Sequence, residues 1–332
     1  MQRADAFIDI DSNTAIPAFR DFAQAAERPV TEDGDALVIT LHRGSLTITG
    51  EAGKTRLRLD SPDEVALQLG RDLLAQKLAE QGLTPHWQED LAGRQPGNQS
   101  RGRVVSVTRL SPSYSRVVIE GPDFARFDEG GLHFRLLFGP EGAGWPETDA
   151  AGATCWPGGM AAWHRPVYTT RAIEADGAAA RITFDVFRHE GGRVTEWCDR
   201  AGPGDAIAMT GPGGSALPQM RGWMGLVGDE TAMPVMIRIL EAMPPETRGE
   251  AVLFVPDRAD IQKVRHPKGV ALRWALRGTD ETPLTALEAL AVPAEDRYVF
   301  FAGEKSQALE VRASLSERGL KKGEFMSAAY WS

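Results

Sequence analysis

The chain has 332 residues, which is enough for two or three domains of ordinary size, and its 42% hydrophobic and 25% charged residues are typical of a water-soluble globular protein. Its formal net charge of -9 argues against non-specific nucleic-acid binding, and no apolar stretch is long enough to span a bilayer. The first residues lack the apolar core of a signal peptide. Cys155 and Cys198 show no Cys-x-x-Cys spacing and no metal-ligand cluster around them. We therefore expect a reduced, cytoplasmic protein without a metal site.

Residues 1–91 are predicted to form a small α+β domain. Its expected elements are a helix around 19–26, strands near 37–41, 44–48 and 56–59, and a second helix. Ser61 followed by Pro62 and two acidic residues has the composition of a helix N-terminus, so the second helix should begin there. This domain contains no catalytic constellation. Residues 92–102 are polar and rich in turn-forming residues, which predicts a linker.

Residues 103–215 are predicted to consist mostly of strands. The expected strands cover 104–110, 115–120, 132–138, 167–173, 181–187 and 206–210, with one helix near 195–201. Apolar and polar residues alternate over 182–186, the period of a half-buried strand. Six short antiparallel strands would close into a small β-barrel.

In residues 216–332 the pattern changes to short apolar runs that alternate with helical stretches. The runs are 224–227, 251–255, 271–276 and 298–301, and the helices are 231–243, 285–290 and 306–318. This alternation predicts an α/β domain with a parallel sheet and crossover helices. A barrel followed by such a domain is a common arrangement in flavin reductases.

Three chemically different side chains, Arg165, Tyr168 and Thr169, lie on one predicted strand. A guanidinium can hold a phosphate with two hydrogen bonds, and a phenol ring can pack on a flat cofactor. The threonine can offer its N–H and hydroxyl to a ring nitrogen or carbonyl. The set suits a flavin with a phosphate tail, although an ordinary edge strand can have the same composition.

Three glycine-containing segments follow in the chain. Residues 191–195 precede the short helix, where a glycine backbone can approach a pyrophosphate; the alternative is a hairpin turn with Thr195 as the helix cap. Residues 211–215 lie at the domain junction, and residues 228–234 follow the first strand of the α/β domain, where ligands bind in such sheets. Neither Gly-x-Gly-x-x-Gly nor a Walker motif occurs, so nucleotide hydrolysis is not expected.

Residues 103–332 resemble the siderophore-interacting proteins, a branch of the ferredoxin-reductase superfamily whose members use FAD to reduce ferric siderophores. The resemblance rests on eight segments in the same order, namely 132–138, 165–169, 184–189, 202–205, 211–215, 228–234, 302–304 and the pair Tyr330-Trp331. Residues 1–91 more loosely resemble a small domain of unknown function that occurs fused to such reductases.

The resemblance implies roles for the flavin contacts. Arg165 would face a phosphate, Tyr168 would lie along the ribityl chain and ring, and Thr169 would lie near N5. The other implied cofactor-binding residues are His189, Gly192, Val194, Thr195, Gly211, Gly214, Ser215, Asp229, Thr231 and Trp331. Simpler structural roles stay open for several of them: a surface strand end for His189, a helix cap for Asp229 and Thr231, and a buried strand for Trp331. His133 is interpreted as structural, because the strand pattern already explains it.

The implied activity is FAD-dependent reduction of ferric siderophores, with electrons from NADPH or NADH and without a catalytic acid or base from the protein. Two alternatives stay open. One is a general NAD(P)H–flavin oxidoreductase acting on quinones or iron chelates. The other is a non-catalytic siderophore-binding or regulatory protein, in which residues 1–91 recruit a protein partner. No nucleic-acid or membrane partner is expected, and the sequence does not distinguish between siderophore classes or electron donors.

Overall fold

The structure is a computed structural model that describes all 332 residues. The chain forms two compact units. One consists of Met1–Ser100, Arg135–Pro166 and Ala208–Gly211, and the other of Arg101–Phe134, Val167–Ile207 and Pro212–Ser332. None of the helices combines the length and the apolar character needed to cross a lipid bilayer.

The first part of the chain is an antiparallel sheet with two helices. Its elements are β1 (Gln2–Ile8), α1 (Ser12–Ala25), β2 (Val30–Asp33), β3 (Ala36–Leu41), β4 (Gly44–Glu51), β5 (Lys54–Ser61), α2 (Glu64–Ala79) and β6 (His86–Trp87). The strand order is β2-β3-β4-β5-β1-β6, with antiparallel pairing throughout. One apolar face of this sheet packs on both helices. This is the α+β arrangement that the sequence predicts.

Strand β1 is absent from the sequence prediction. Its inward residues Ala4, Ala6 and Ile8 alternate with residues that are more exposed, but two of the three are small. The alternation is therefore weak in hydrophobicity, although it has the period of a strand.

Both helices begin at residues other than those predicted. Helix α1 begins at Ser12, because the carboxylate of Asp11 accepts a hydrogen bond of 2.8 Å from the Asn13 N–H. Helix α2 is capped by Asp63, which accepts a bond of 2.9 Å from the Ala66 N–H, and Ser61 is the last residue of β5. Ser61 as helix cap was therefore wrong by two residues.

The predicted linker has fixed partners within the first unit. The Gly93 N–H donates to the Thr148 carbonyl at 2.8 Å, and the Thr148 N–H donates to the Arg94 carbonyl at 2.8 Å. Close by in sequence, the Trp87 indole donates to the Ala151 carbonyl at 2.7 Å. These contacts attach residues 87–94 to residues 148–151.

The middle of the chain contains β7 (Gln99–Ser111), β8 (Tyr114–Gly121), β9 (His133–Leu136), β10 (Glu147–Thr148), β11 (Thr154–Cys155), β12 (Val167–Thr169), β13 (Ala172–Asp176), β14 (Ala179–Phe187), α3 (Arg193–Cys198) and β15 (Ala206–Gly213). Seven of these strands form a sheet of order β12-β9-β15-β7-β8-β14-β13, and β10 pairs with β11. Antiparallel pairing joins β7, β8, β14 and β13.

The sheet has seven strands where the sequence predicts six, because the predicted strand 167–173 is interrupted. At the interruption the Thr170 N–H donates to the Leu132 carbonyl at 2.9 Å, whereas the Arg171 N–H donates to the Thr183 carbonyl at 2.8 Å. The antiparallel sheet is confirmed, and the closed six-stranded barrel stays a prediction. The short helix begins at Arg193, two residues before the predicted start.

The last part of the chain is a parallel α/β sheet, as predicted. It contains β16 (Trp223–Gly228), α4 (Met233–Ala242), β17 (Arg248–Val255), β18 (Gly269–Leu276), α5 (Pro283–Glu288), β19 (Arg297–Glu304), α6 (Lys305–Glu317) and β20 (Phe325–Trp331). The strand order is β18-β17-β16-β19-β20, and every neighbouring pair is parallel.

The central strand of this sheet is β16. Its Leu226 and Val227 enter the two apolar clusters on opposite faces, as expected for a strand covered on both sides. The chain continues to β17 on one side of β16 and later returns to β19 on the other, so the strand order reverses at β16. Ligands of open α/β sheets bind outside the carboxyl ends of the strands at such a reversal. Asp229, Glu230 and Thr231 follow β16 at this point.

Candidate functional site

A cleft of about 340 Å³ lies in the second unit, where the residues after β16 meet five other segments. Its walls come from the start of β8, the start of β9, strand β12, the end of β14 with the residues after it, and β20. Its polar and aromatic lining includes Tyr114, His133, Tyr168, Thr169, Glu230 and Tyr330. Aromatic rings and hydroxyl groups therefore face the same space, a composition suited to a flat ligand with a few polar atoms.

Tyr168 is held by a row of aromatic rings. Its ring centroid lies 5.3 Å from that of Phe184, and Phe184 lies 5.3 Å from Phe134 in an edge-to-face contact. Phe134 and Phe184 are buried. Burial raises the pKa of the Tyr168 phenol, so the hydroxyl keeps its proton at neutral pH. The ring of Tyr168 is thus a fixed wall of the cleft.

His133 connects Thr169 with Tyr330. Its Nδ1 lies 3.2 Å from the Thr169 hydroxyl, and its Nε2 lies 3.4 Å from the Tyr330 hydroxyl. Burial and the positive charge of Arg238 lower the pKa of His133, which keeps the imidazole neutral at pH 7. The sequence prediction assigned this residue a structural role, whereas the structure places its ring in the wall of the cleft. No local sequence signal distinguishes the two roles.

A second cavity, of about 210 Å³, also lies in the second unit and shares His133 and Tyr330 with the cleft. Apolar side chains such as Val235 and Phe300 line most of it, together with Gly214 and Ser215. Gly214 has φ +74°, and a Cβ there would lie 2.5 Å from His133 Cδ2. Glycine is therefore required at this position both for the backbone and for the imidazole ring.

Replacement of Gly214 by alanine is expected to lower the free energy of unfolding by about 1–2 kcal/mol, the cost of a left-handed backbone, with a further loss from contact with His133. Gly204→Ala is the matched control, because Gly204 has φ +93° but a Cβ there would meet no atom within 4 Å. Urea denaturation of both variants measures the difference. Equal stability of the two variants would contradict the contact with His133.

The two carboxylates in the cleft wall are both paired with arginines. Asp185 accepts two hydrogen bonds from Arg116, at 2.8 and 2.9 Å. Glu230 accepts one from Arg277 at 2.6 Å, and burial together with the charge of Asp229 raises the pKa of Glu230. The pairing reduces the repulsion that an anionic ligand would meet in the cleft.

Asp229 is buried and its carboxylate serves the turn after β16. One oxygen accepts from the Thr231 N–H at 2.9 Å and from the Thr231 hydroxyl at 2.6 Å. The other accepts from the Trp331 indole at 2.7 Å, and the Arg277 guanidinium lies 5.7 Å from the Trp331 ring centroid. Trp331 is 42% exposed and does not line the cleft, whereas Thr231 does. Asp229 therefore tethers β20 to the turn.

The glycine segment before α3 packs on His189, which also lines the cleft. A Cβ at Gly192 would lie 2.8 Å from two ring atoms of His189 and 3.0 Å from the Thr195 hydroxyl. That hydroxyl accepts a hydrogen bond of 3.2 Å from the His189 N–H, and Val194 is buried. No side chain caps the N-terminus of α3. The backbone approaches His189 closely because position 192 has no side chain.

Arg165 and Gly211 belong to the first unit, unlike the other predicted site residues. The Arg165 guanidinium lies 4.9 Å from the ring centroid of Trp156, a cation–π contact. Gly211 has φ +135°, and its N–H donates to the Asn98 carbonyl at 3.0 Å. The structure thus gives both residues local partners.

Two family models match the chain in consecutive segments. Residues 103–216 match the siderophore-interacting FAD-binding domain, and residues 221–332 match the siderophore-interacting protein model. Residues 1–102 lie outside both matches.

Named relatives and a solved structure match the same part of the chain. Ferric vibriobactin reductase ViuB of Vibrio cholerae is 29% identical over 236 residues, which covers 67% of this chain and 85% of that protein. The NADPH-dependent ferric-chelate reductase of Escherichia coli is 28% identical over 238 residues, covering 69% and 91%. A siderophore utilization protein from T. fusca has a similar structure, with a TM-score of 0.59, 26% identity, and coverage of 70% and 92%.

Proposed function

Because this chain belongs to the siderophore-interacting protein family, we propose that it is an oxidoreductase that uses FAD, with NADPH or NADH as electron donor, to reduce ferric siderophores and release Fe(II). The observation that carries the proposal is the cleft at the carboxyl end of β16, where Tyr168, Thr169 and Thr231 meet. The names of the Vibrio cholerae and Escherichia coli relatives support the same class of reaction.

The residues around the cleft fit a flavin. The Tyr168 ring is flat and fixed by Phe184, which suits packing along the ribityl chain and ring. The Thr169 hydroxyl faces the same space and suits a ring nitrogen such as N5. Gly192 leaves the backbone beside His189 without a side chain, as a pyrophosphate site requires, and Val194 and Thr195 complete that segment.

The remaining predicted residues have supporting roles in this proposal. Arg165 supplies the positive charge for a flavin phosphate. Gly211, near the end of β15, and Gly214 and Ser215, which follow β15, complete the set of cofactor-binding residues. Asp229 and Trp331 fix the turn that presents Thr231 to the nicotinamide donor. Each of these roles predicts weaker binding of FAD or of the donor when the residue is replaced, measured by titration of the purified variant.

The chemistry that FAD supplies when bound is two-electron oxidation of a pyridine nucleotide coupled to one-electron reduction of Fe(III). The chain binds and orients the reactants, and the rings of Tyr114, Phe187 and Tyr330 form an apolar part of the cleft wall. Hard oxygen donors of a siderophore hold Fe(III) more tightly than Fe(II), so reduction releases the metal.

We infer a domain division that follows this chemistry. Residues 103–215 form the FAD-binding domain as a β-barrel, and residues 216–332 form the domain for the nicotinamide donor. Residues 1–91 form a further domain, which residues 92–102 connect to the FAD-binding domain and which also contacts residues 148–151 within the first unit. Its binding of a protein partner stays a prediction. We also propose a cytoplasmic location, which cell fractionation tests.

The function predicts that the purified chain, incubated with FAD and desalted, keeps the visible absorption of oxidised flavin. Under anaerobic conditions with NADPH or NADH and a ferric siderophore, Fe(II) trapped by a chromogenic chelator should form faster than with the same concentration of free FAD. Tyr168→Ala should lose most of the bound FAD, because the ring that forms the cleft wall is removed. Leu309→Ala, at an exposed position on α6, should keep it. A colourless protein, or Fe(II) formation no faster than with free FAD, would contradict the proposal.

The name of the Escherichia coli relative favours iron chelates as a second substrate class. The catalytic efficiency kcat/KM should therefore be compared for a ferric siderophore, a simple ferric chelate and a quinone. A kcat/KM for the quinone well above that for every iron substrate would support a general NAD(P)H–flavin oxidoreductase instead.

A further inference from the structure

His133 has no role in the proposed function, although its ring forms part of the wall shared by the cleft and the second cavity. The rings of His133 and Tyr330 meet edge to face, with centroids 5.9 Å apart and planes at 86°. Gly214 packs so closely on the imidazole that a Cβ would lie 2.5 Å from His133 Cδ2. The ring is therefore confined between Gly214, Thr169 and Tyr330.

We propose that His133 is a positioning residue: its Nδ1–H donates a hydrogen bond to the Thr169 hydroxyl oxygen, which directs the threonine's own proton into the cleft. Tyr330 sets this tautomer, because its phenol hydroxyl donates a hydrogen bond to Nε2. The distances are 3.2 Å from Nδ1 to the Thr169 oxygen and 3.4 Å from Nε2 to the Tyr330 oxygen. This inference rests on the proposed function, because the group that accepts the Thr169 proton is an unprotonated ring nitrogen of the flavin.

The direction of the hydrogen bonds follows from the groups on each side of the imidazole. A neutral imidazole carries one N–H and one lone pair, so one nitrogen donates and the other accepts. Nδ1 is the nitrogen that faces the Thr169 hydroxyl, and Nε2 is the nitrogen that faces the Tyr330 hydroxyl. A phenol is a stronger hydrogen-bond donor than an aliphatic hydroxyl, and the aliphatic oxygen is the better acceptor. The favoured arrangement therefore has Tyr330 donating to Nε2 and the imidazole proton on Nδ1, donating to Thr169.

The other nitrogen is then an acceptor, and Tyr330 is the donor beside it. Burial and the charge of Asp229 raise the pKa of Tyr330, so its hydroxyl keeps the proton that it donates. This connects the β20 strand to the hydroxyl of Thr169 through one imidazole.

The consequence for the cleft is a hydroxyl with a defined polarity. Because the Thr169 oxygen accepts from His133, its own proton is available to an acceptor in the cleft rather than to the wall. An aromatic heterocycle with an unprotonated nitrogen, such as the oxidised flavin ring, is the class of ligand that such a donor binds. In the opposite tautomer the Thr169 hydroxyl would donate to Nδ1 of His133, and the unprotonated nitrogen of the ligand would lose its hydrogen-bond donor.

The first test needs no FAD. In full-length protein labelled with ¹⁵N-histidine, long-range NMR spectra distinguish protonated from unprotonated ring nitrogens, and His133→Asn assigns the signal among the six histidines. At neutral pH we expect a proton on Nδ1 and none on Nε2. Tyr330→Phe keeps the ring but removes the donor, so the Nε2–H tautomer should become populated. A proton on Nε2 in the unmodified protein would overturn the proposal.

The second test measures the Kd for FAD of the same protein. Thr169→Val should weaken binding about three- to tenfold, the loss of one hydrogen bond, and His133→Leu should do the same. Since His133 acts through Thr169, the double variant should bind about as weakly as the weaker single variant. His133→Asn places an amide N–H near Nδ1 and should restore most of the affinity, and so should Thr169→Ser, which keeps the hydroxyl.

Two outcomes of the binding test would overturn the positioning role. One is a loss of FAD affinity in the double variant that equals the sum of the losses in the single variants, expressed as free energies. The other is a loss of affinity in Thr169→Val with no loss in His133→Leu. Circular dichroism identifies a variant that fails to fold. In that case the FAD affinities of the conservative variants His133→Asn and Thr169→Ser test the positioning role. Absence of FAD binding in the unmodified protein would overturn both the proposed function and this role, whereas an Nε2–H tautomer with normal FAD binding would overturn this role alone.

Discussion

Replacement of Phe184 by alanine is expected to lower the free energy of unfolding by about 3–5 kcal/mol, the usual cost of deleting a buried phenylalanine ring. Phe184 is fully buried on β14, and its ring lies 5.3 Å from both Phe134 and Tyr168. The deletion would leave a cavity behind Tyr168, so the phenol should become mobile in the cleft. We therefore expect weaker binding of FAD in addition to lower stability. Urea denaturation and titration with FAD measure the two effects.

Phe184→Leu is the matched control for this change. Leucine keeps a large apolar side chain at the position, so it leaves a smaller cavity than alanine and should cost less stability. It should therefore leave Tyr168 supported and FAD binding near that of the unmodified protein. If Phe184→Ala were as stable as Phe184→Leu, the aromatic row would not be what holds Tyr168.

Replacement of Asp229 by alanine should cost about 3 kcal/mol of stability. Hydrogen bonds to a charged acceptor are each worth about 1.5–3 kcal/mol, and the released Thr231 and Trp331 donors, which are partly exposed, regain part of that energy from water. The carboxylate accepts from the Thr231 N–H, the Thr231 hydroxyl and the Trp331 indole. Its removal leaves these donors without an acceptor and releases β20 from the turn after β16. Chemical denaturation measures the loss, and the KM for NADPH or NADH should rise because Thr231 is no longer fixed.

The contribution of the indole can be separated with a second residue. In a Trp331→Phe background one of the donors is already absent, so Asp229→Ala should cost less there than in the unmodified chain. Asp229→Asn should be intermediate, because the amide keeps one acceptor oxygen but places an N–H group beside the other donors. Equal costs in both backgrounds would show that the bond between Asp229 and Trp331 contributes nothing.

The elements that could be predicted from the sequence are those with a strong local period. Alternation over 182–186 predicts β14, and the short apolar runs after residue 222 predict the parallel sheet, because strands covered on both faces need apolar residues on both. Strand β1 was missed because its inward residues Ala4 and Ala6 carry little hydrophobic signal. The break between β12 and β13 was missed because it depends on hydrogen bonds of Thr170 and Arg171 to distant carbonyls.

The candidate site divides in the same way. Motif order and family resemblance predicted a cofactor site that includes Tyr168, Thr169, His189 and Thr231. In the structure all four residues line one cleft, and their contacts with a cofactor stay a prediction. The importance of His133 could not be predicted, because it depends on the positions of Thr169 and Tyr330 around one ring. The engagement of Asp229 by Trp331 likewise joins residues that are far apart in sequence.

The position of β1 has a consequence for the order of folding. Although β1 comes first in the chain, it lies inside its sheet, between β5 and β6, and the ion-paired residues Arg3 and Asp60 are 57 positions apart. Strands β2 to β5 pair with sequence neighbours and can form early, whereas β1 must wait for β5 because distant contacts require the closure of a long loop. Until then β5 has an open edge that can pair with another chain. Slow docking of β1 should therefore set both the folding rate and the aggregation risk of this domain.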